Sequence, residues 1–287
     1  METAEQPNLP DILNRCVSID LEVDPERAEI FAFAAVSRDI ERPGLVANGN
    51  VRQSLKRLDE YCLGFDHVIG HNILCHDLPY LIAESSRFQR LAEAPIDTLW
   101  LNPLAFPRNP YHHLVKHYQD GRLQTGHRND PEYDARLVFE VLQNQIAAFN
   151  QLNRHSPDTL AAYHYLCGRA NSSDGFARLF SSVRRLRVPE RDEAHGAIRR
   201  LLAGSACPSM IERSLERLSE TDQCWPMAYA LSWISVAGGD SVMPPWVRRQ
   251  FPQASRIVRD LRDSDCGDPK CDFCRSNNDP KEGRLLT

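Results

Sequence analysis

Between residues 15 and 24 apolar and polar positions alternate with a period of two. Val17, Ile19, Leu21 and Val23 take one set of positions, and Ser18, Asp20 and Glu22 take the other, which predicts a half-buried strand. Asp24-Pro25-Glu26-Arg27 is a turn signal. Ile30–Val36, an unbroken apolar run, predicts a second strand buried on both faces. A third strand is expected near 44–47. Helical spacing at Val51, Leu55, Leu58 and Cys62 comes next, then a short buried strand at His67–Gly70. Pro79 suits the first turn of a helix reaching about Arg90, and Asp97–Leu101 predicts a short helix or strand. Asn109-Pro110 predicts the start of a helix over Tyr111–Tyr118. Leu137, Val138, Val141, Leu142, Ile146 and Phe149 share one side of a long helix expected from Asp134 to Leu152. Strands first, then strand alternating with helix, is an α/β layered pattern.

After residue 153 the pattern turns helical. Asn153-Arg154-His155-Ser156-Pro157 has the composition of a linker and a helix start. Helices are expected over 158–167, 174–185, 191–203, 208–219 and 225–236. Gly238-Gly239 and Pro244-Pro245 interrupt, and Trp246–Leu261 resumes the helical spacing. From Ser264 the chain is polar and carries cysteines. This divides it into an α/β domain (1–152), a helical domain (153–262) and a cysteine-bearing segment (263–287), with no internal repeat.

Composition narrows the class. The chain has 287 residues, 42% of them apolar and 25% charged, enough to build a substantial core. Its longest apolar run spans seven residues, far below the ~20 that cross a bilayer, so no membrane partner is expected. The opening Met-Glu-Thr-Ala-Glu-Gln-Pro is acidic and has no leader character. Nine cysteines at irregular spacing fit a reducing cytoplasm with some thiols on metal better than a disulfide framework. The formal charge of −5 is uneven: residues 1–150 carry −8 and residues 151–287 carry +3. An acidic first half repels nucleic acid unless cations intervene.

The acids in that half fall into three groups. Asp20 and Glu22 project from the same face of the first strand. Asp77 follows Gly70-His71-Asn72, between a strand and a helix. Asp134 opens the long helix after Asn129-Asp130-Pro131-Glu132-Tyr133. Taken singly, the first pair suits a solvated strand face and Asp134 suits a helix cap, where a carboxylate is electrostatically favoured. Taken together and in this order, Asp20, Glu22, Asp77 and Asp134 resemble the acidic set of the DEDD, or DnaQ-like, 3′–5′ exonucleases. Gly70-His71-Asn72 with Asp77 is similar to the family's second motif, Asp20-Leu21-Glu22 to its first, and Pro110–Tyr118 to the helix before its last.

That resemblance, carried by residues 15–150, implies an RNase H-like α/β fold and two Mg2+ or Mn2+ ions. It implies that Asp20 bridges both ions, that Glu22 and Asp134 complete the first, and that Asp77 acts through water. Two hard cations about 4 Å apart stabilise both the attacking and the leaving oxygen of a phosphodiester. The general base departs from the family. Its histidine subgroup has the base five residues before the last Asp, here Asn129, and its tyrosine subgroup four before, here Asp130. His127, seven before Asp134, is the candidate imidazole, since a pKa near neutrality suits proton removal. Asn72, His112 and His113 are candidates for contact with nucleic acid.

Further on, Arg248-Arg249 beside Trp246 either supports a nucleic-acid strand by phosphate contact and stacking, or forms a solvated helix face with Trp246 packed inside. Cys266, Cys271 and Cys274 are spaced C-x4-C-x2-C, which suits zinc, with an iron–sulphur cluster and unligated thiols as the other readings. Three ligands are one short, and the fourth is expected from Cys224, Cys207 or a histidine. The order of exonuclease, helical block and cysteine cluster is similar to the N-terminal region of some bacterial RecQ-type helicases. A helicase module in the same or another chain is therefore an expected partner, and DNA 3′ ends are the expected substrate. The alternatives are an RNase of the same family and a nuclease-fold module that binds without cutting.

Overall fold

The computed structural model describes residues 9–49, 51–109, 112, 114, 118–119, 122–123, 130–169, 174–218, 221–236 and 243–277. After a short helix α1 (Leu9–Asn14), β1 (Cys16–Asp24) buries Val17, Ile19 and Leu21, as its alternation requires. β2 (Glu29–Ser37) runs antiparallel to it, and β3 (Leu45–Asn48) runs antiparallel to β2. α2 (Arg52–Tyr61) then carries the chain back, so that β4 (His67–Gly70) lies parallel to β1 and β5 (Ile96–Asp97) parallel to β4. A parallel neighbour needs such a crossover, because a tight turn returns the chain antiparallel. The result is a mixed five-stranded sheet in the order β3-β2-β1-β4-β5.

Each face of this sheet meets different helices. On one, Val17, Ile19, Leu21 and Phe33 pack with Leu55 and Leu58 of α2 and with Leu78 and Leu81 of α3 (Asp77–Glu84). Fully buried residues of this size contribute about 2–3 kcal/mol each. On the other face the β2 side chains are small. Ala34 and Val36 meet Ala135 of α5 (Pro131–His155). Short side chains here let the helix axis approach the sheet, which sets the reach of any side chain in the first turn of α5.

Beyond β5 come α4 (Thr98–Ala105) and a two-residue hairpin, β6 (Tyr118–Gln119) with β7 (Arg122–Leu123), and then α5. The helical region comprises α6 (Pro157–Cys167), α7 (Asp174–Arg184), α8 (Arg191–Leu202), α9 (Pro208–Arg217), α10 (Cys224–Ser235), α11 (Pro245–Gln250), α12 (Pro252–Arg262) and α13 (Asp272–Asn277). One apolar core crosses the 152/153 boundary, joining Ile69, Ile96 and Val138 to Tyr163, Phe180, Tyr229 and Leu261. α10 is buried on nearly every side, from Cys224 through Ser232, as expected of a helix apolar all round. Its Tyr229 and Ser232 hydroxyls donate to the backbone oxygens of Trp100 (3.1 Å) and Pro103 (2.6 Å) in α4.

Four expectations need correction. The helix expected to reach Arg90 ends at Glu84, where extended Ser85 (φ −162°, ψ 131°) breaks it, and a 3-10 turn follows over Ser86–Ala92. The helix expected over Trp246–Leu261 is two helices. Pro252 pushes Phe251 out of the helical region (φ −128°, ψ 63°), because the proline ring clashes with a preceding helical residue. The linker expected over 153–157 shrinks to Ser156, since α5 runs on to His155. Of the helix expected over Tyr111–Tyr118, most lies outside the described residues. His112 and Leu114 are not helical, and Tyr118 pairs with Leu123 in the hairpin. Among the described residues no helix is long and apolar enough to cross a membrane.

Candidate functional site

Asp20 and Glu22 leave β1 on the face opposite Ile19 and Leu21. They stand across from Ala34 and Ala32 of β2, with a register shift directly after Glu22. Asp77 arrives from the other neighbour. Pairing of β1 with β4 ends at Ser18 and Ile69, so the Leu21 N–H lies past the last paired residue, and Asp77 Oδ1 accepts from it at 2.9 Å. A side chain thus takes the place of a missing strand partner, which a buried amide requires. Asp77 is also the first residue of α3, where the helix dipole favours a carboxylate.

Asp134 enters from α5. The capping role falls to Asp130, whose Oδ1 accepts from the Glu132 and Tyr133 amides at 3.1 and 3.3 Å. Asp134, one turn on, is left to meet the sheet. Carboxylate oxygens of Asp20, Glu22 and Asp134 lie within 4.8 Å of one another. Burial pushes Asp20 up to about 9, and the charges of Asp77, Asp134 and Glu22 add to the shift in that order. Asp77 therefore belongs electrostatically to the group. The donor set is all carboxylate oxygen, and one member is kept from ionising at neutral pH by burial first and like charge second unless cations are added. Such a set fits hard divalent ions, and Mg2+ above all prefers these ligands. His76, beside Asp77 (Nδ1 to Oδ2 3.8 Å) and edge-on to Tyr80, is shifted upward, chiefly by Asp77.

The loop between β4 and α3 is held from below. A Cβ at Gly70 would come within 2.7 Å of Ile73 Cβ, so the chain can turn under Ile73 only with glycine there. Asn72 adopts φ +70°, a left-handed conformation that asparagine tolerates. Asp97, fully buried, accepts from the amides of Asn72 (2.9 Å) and Leu74 (3.1 Å) while capping α4 through the amides of Leu99 and Trp100. Burial raises its carboxyl to about 7 against the pull of those four donors. His71 donates from Nε2 to the His112 carbonyl (2.6 Å), and its Nδ1 meets Thr98 Oγ1 (2.9 Å). Sequence reading missed Asp97 as a support. Its signal was an N-cap pattern, Asp97-Thr98 ahead of Leu99-Trp100.

The remaining candidates divide. His112, expected near substrate, is buried at 4% exposure, and its Nδ1 accepts from Trp246 Nε1 at 3.2 Å. It joins the two halves of the chain and does not face solvent. Trp246 packs edge-on against His112, Tyr229 and Phe251, so it is not presented as a stacking platform. Arg248 and Arg249 are exposed on α11. The last residue of that helix, Gln250, donates to Cys75 Sγ at 2.8 Å, two residues before Asp77. His113, His127 and Asn129 lie outside the described residues.

A second cluster is made of sulfur. Cys207 joins Cys266, Cys271 and Cys274, all four Sγ atoms lying within 4.8 Å of one another. Cys207 is the residue preceding α9. Cys224, the other cysteine considered as a fourth ligand, is buried within α10 and is not part of the cluster. No protein-family model, curated protein or solved structure matches the chain.

Proposed function

We propose that the chain is a metal-dependent 3′–5′ exonuclease with an RNase H-like catalytic layer, cutting nucleic-acid ends at the acidic cluster. The observation that carries this reading is the meeting of Asp20, Glu22 and Asp134 within 4.8 Å, with Asp77 coupled to Asp20. These acids come from two strand positions and two helix starts spread over more than a hundred residues, and gathering like charges in this way costs stability. The sheet order β3-β2-β1-β4-β5, antiparallel on the β2 side and parallel on the β4 side, fits the fold the resemblance implies.

Asp20, Glu22 and Asp134 would hold two Mg2+ or Mn2+ ions. Asp77, with Oδ1 occupied by the Leu21 amide, suits a role through water. Bound there, the ions would acidify water and neutralise charge on the phosphate oxygens. The chain's own part is to gather the ligands on a rigid strand and two helix starts, and to accept a proton at His127. Exposed Arg248 and Arg249, on the helix whose last residue touches Cys75, would supply phosphate contacts. The four cysteines hold a separate, thiol-binding ion with no part in the chemistry.

The test is a 5′-labelled oligonucleotide, as DNA and as RNA, with Mg2+ or Mn2+. A ladder of shortened products is expected, absent in EDTA and forming faster for the preferred sugar. His127→Ala should slow it strongly, and undiminished cleavage by that variant would remove His127 from the reaction. Failure to cut either oligonucleotide with either ion would favour the second reading. In that case the fold binds nucleic acid or a helicase partner without cutting, as Asn129 at the usual base position suggests.

A further inference from the structure

Among the four clustered cysteines, Cys207 Sγ is 3.7 Å from Cys271 Sγ, and Cys274 Sγ is 3.5 Å from Cys266 Sγ. A tetrahedral zinc ion with Zn–S bonds near 2.3 Å places its sulfurs about 3.8 Å apart. The thiols therefore already stand near the edge lengths of one ZnS4 tetrahedron. A four-iron cluster binds each thiolate to a different iron, which spreads the sulfurs well beyond the reach of a single ion. We propose that Cys207, Cys266, Cys271 and Cys274 bind one zinc ion, and that this ion closes the loop carrying α9–α12.

The surroundings are built for such an ion. Cys207, Cys266 and Cys274 are buried, and all nine cysteines of the chain are free thiols. The turn that brings three ligands together is shaped by short side-chain bonds. Asp265 accepts from the Gly267 amide and Asp268 from the Lys270 amide, both at 2.8 Å, while Gly267 takes φ +79°. Only a residue without a Cβ adopts that angle at little cost. Arg213 Nη2 donates to the Cys266 carbonyl at 3.2 Å, which sets a positive charge beside four thiolates whose charge a single Zn2+ half-cancels. The Cys207 amide donates to the Leu261 carbonyl at 3.3 Å, tying the end of α12 to the start of α9.

Cys207 and Cys271 are 64 residues apart, and the helices between them bear on the other half of the chain. Tyr229 and Ser232 of α10 bind α4, Trp246 binds His112, and Gln250 binds Cys75 in the loop that leads to Asp77. A zinc clamp at the base of this loop keeps those contacts in register. Any effect on cleavage rests on the nuclease reading. The metal site does not.

Metal analysis of the full chain, purified without chelator and washed with Mg2+, tests the proposal. One zinc per chain and no iron is expected. The count should hold in Cys75→Ser, Cys224→Ser and Asp20→Asn, and fall well below one in Cys207→Ser. Because Cys207→Ser can also unfold the chain, alkylation of the native wild-type protein is mapped by mass spectrometry. Cys75 should react at once, and the four ligands only after chelation, which should also lower Tm by about 5 °C or more. Ready alkylation of all four in the native protein, disulfides among them, iron in place of zinc, or a full zinc count in Cys207→Ser would each overturn it. None of these readings depends on whether the oligonucleotide is cut.

Discussion

Asp20→Ala should lower metal-dependent cleavage by about 10^3-fold or more, the loss that follows when several kcal/mol of charge stabilisation at the reacting phosphate are removed. Asp20 is the acid on which the charges of Asp77, Asp134 and Glu22 converge, so its loss would weaken the proposed ion site most. The substitution leaves the fold in place, because β1 is held by its pairing with β2 and β4 and by Val17, Ile19 and Leu21 beneath it. Folding is checked by a thermal melt in EDTA, where the variant should melt no lower than wild type. Cleavage by Asp20→Ala within tenfold of wild type would place the chemistry elsewhere.

The second large effect is on stability. Asp20 titrates at about 9 in the fold against 3.8 in an unfolded chain. The folded state therefore keeps a proton that the unfolded state gives up between those values. Its contribution to stability is complete below about pH 4 and is lost progressively as pH rises to about 9. Above pH 7 the buried histidines His67, His164 and His195, all shifted downward, are neutral in both states and drop out of the balance. The groups facing Asp20 are Glu22 on its own strand, Asp77 on α3 and Asp134 on α5, with His76 beside Asp77. In EDTA the Tm of wild type should fall between pH 7 and 9 more steeply than that of Asp20→Asn. The variant should also be the more stable at pH 8, by about 2 °C for each kcal/mol of burial and repulsion cost removed. Saturating Mn2+ should reverse the order, because the cation takes the proton's place and binds the native state alone. Parallel Tm curves for the two proteins in EDTA, or equal rises with Mn2+, would show that the carboxylates do not crowd as described.

What the sequence made legible was periodic or local. The alternation of β1 placed Asp20 and Glu22 on one face, and the spacing of Leu137, Val138, Leu142 and Ile146 gave α5 to within three residues at each end. Pro252 carried a readable signal that the sequence reading passed over, and the break at Phe251 is its result. Other features had no local sign. Asp97 supports the loop at Asn72 and Leu74 from 25 and 23 residues away, and only the parallel pairing of β4 with β5 brings them together. Cys207 has no partner near it in sequence. The sequence offered it only beside Cys224 and the histidines, and it is the packing of α9 with α12, returning the chain to the start of α9, that selects it. Trp246 packs inside, as one of its two sequence readings had it, but nothing local named its partner: the half-buried indole N–H meets His112 across the fold.

Calorimetric titration of Mn2+ into the zinc-loaded protein at pH 8 shows whether four carboxylates far apart in the chain gather to hold a pair of hard cations. Two Mn2+ per chain should bind with release of protons, and both sites should be lost in Asp20→Asn. Two sites that survive in Asp20→Asn, or no binding at millimolar Mn2+, would contradict this arrangement.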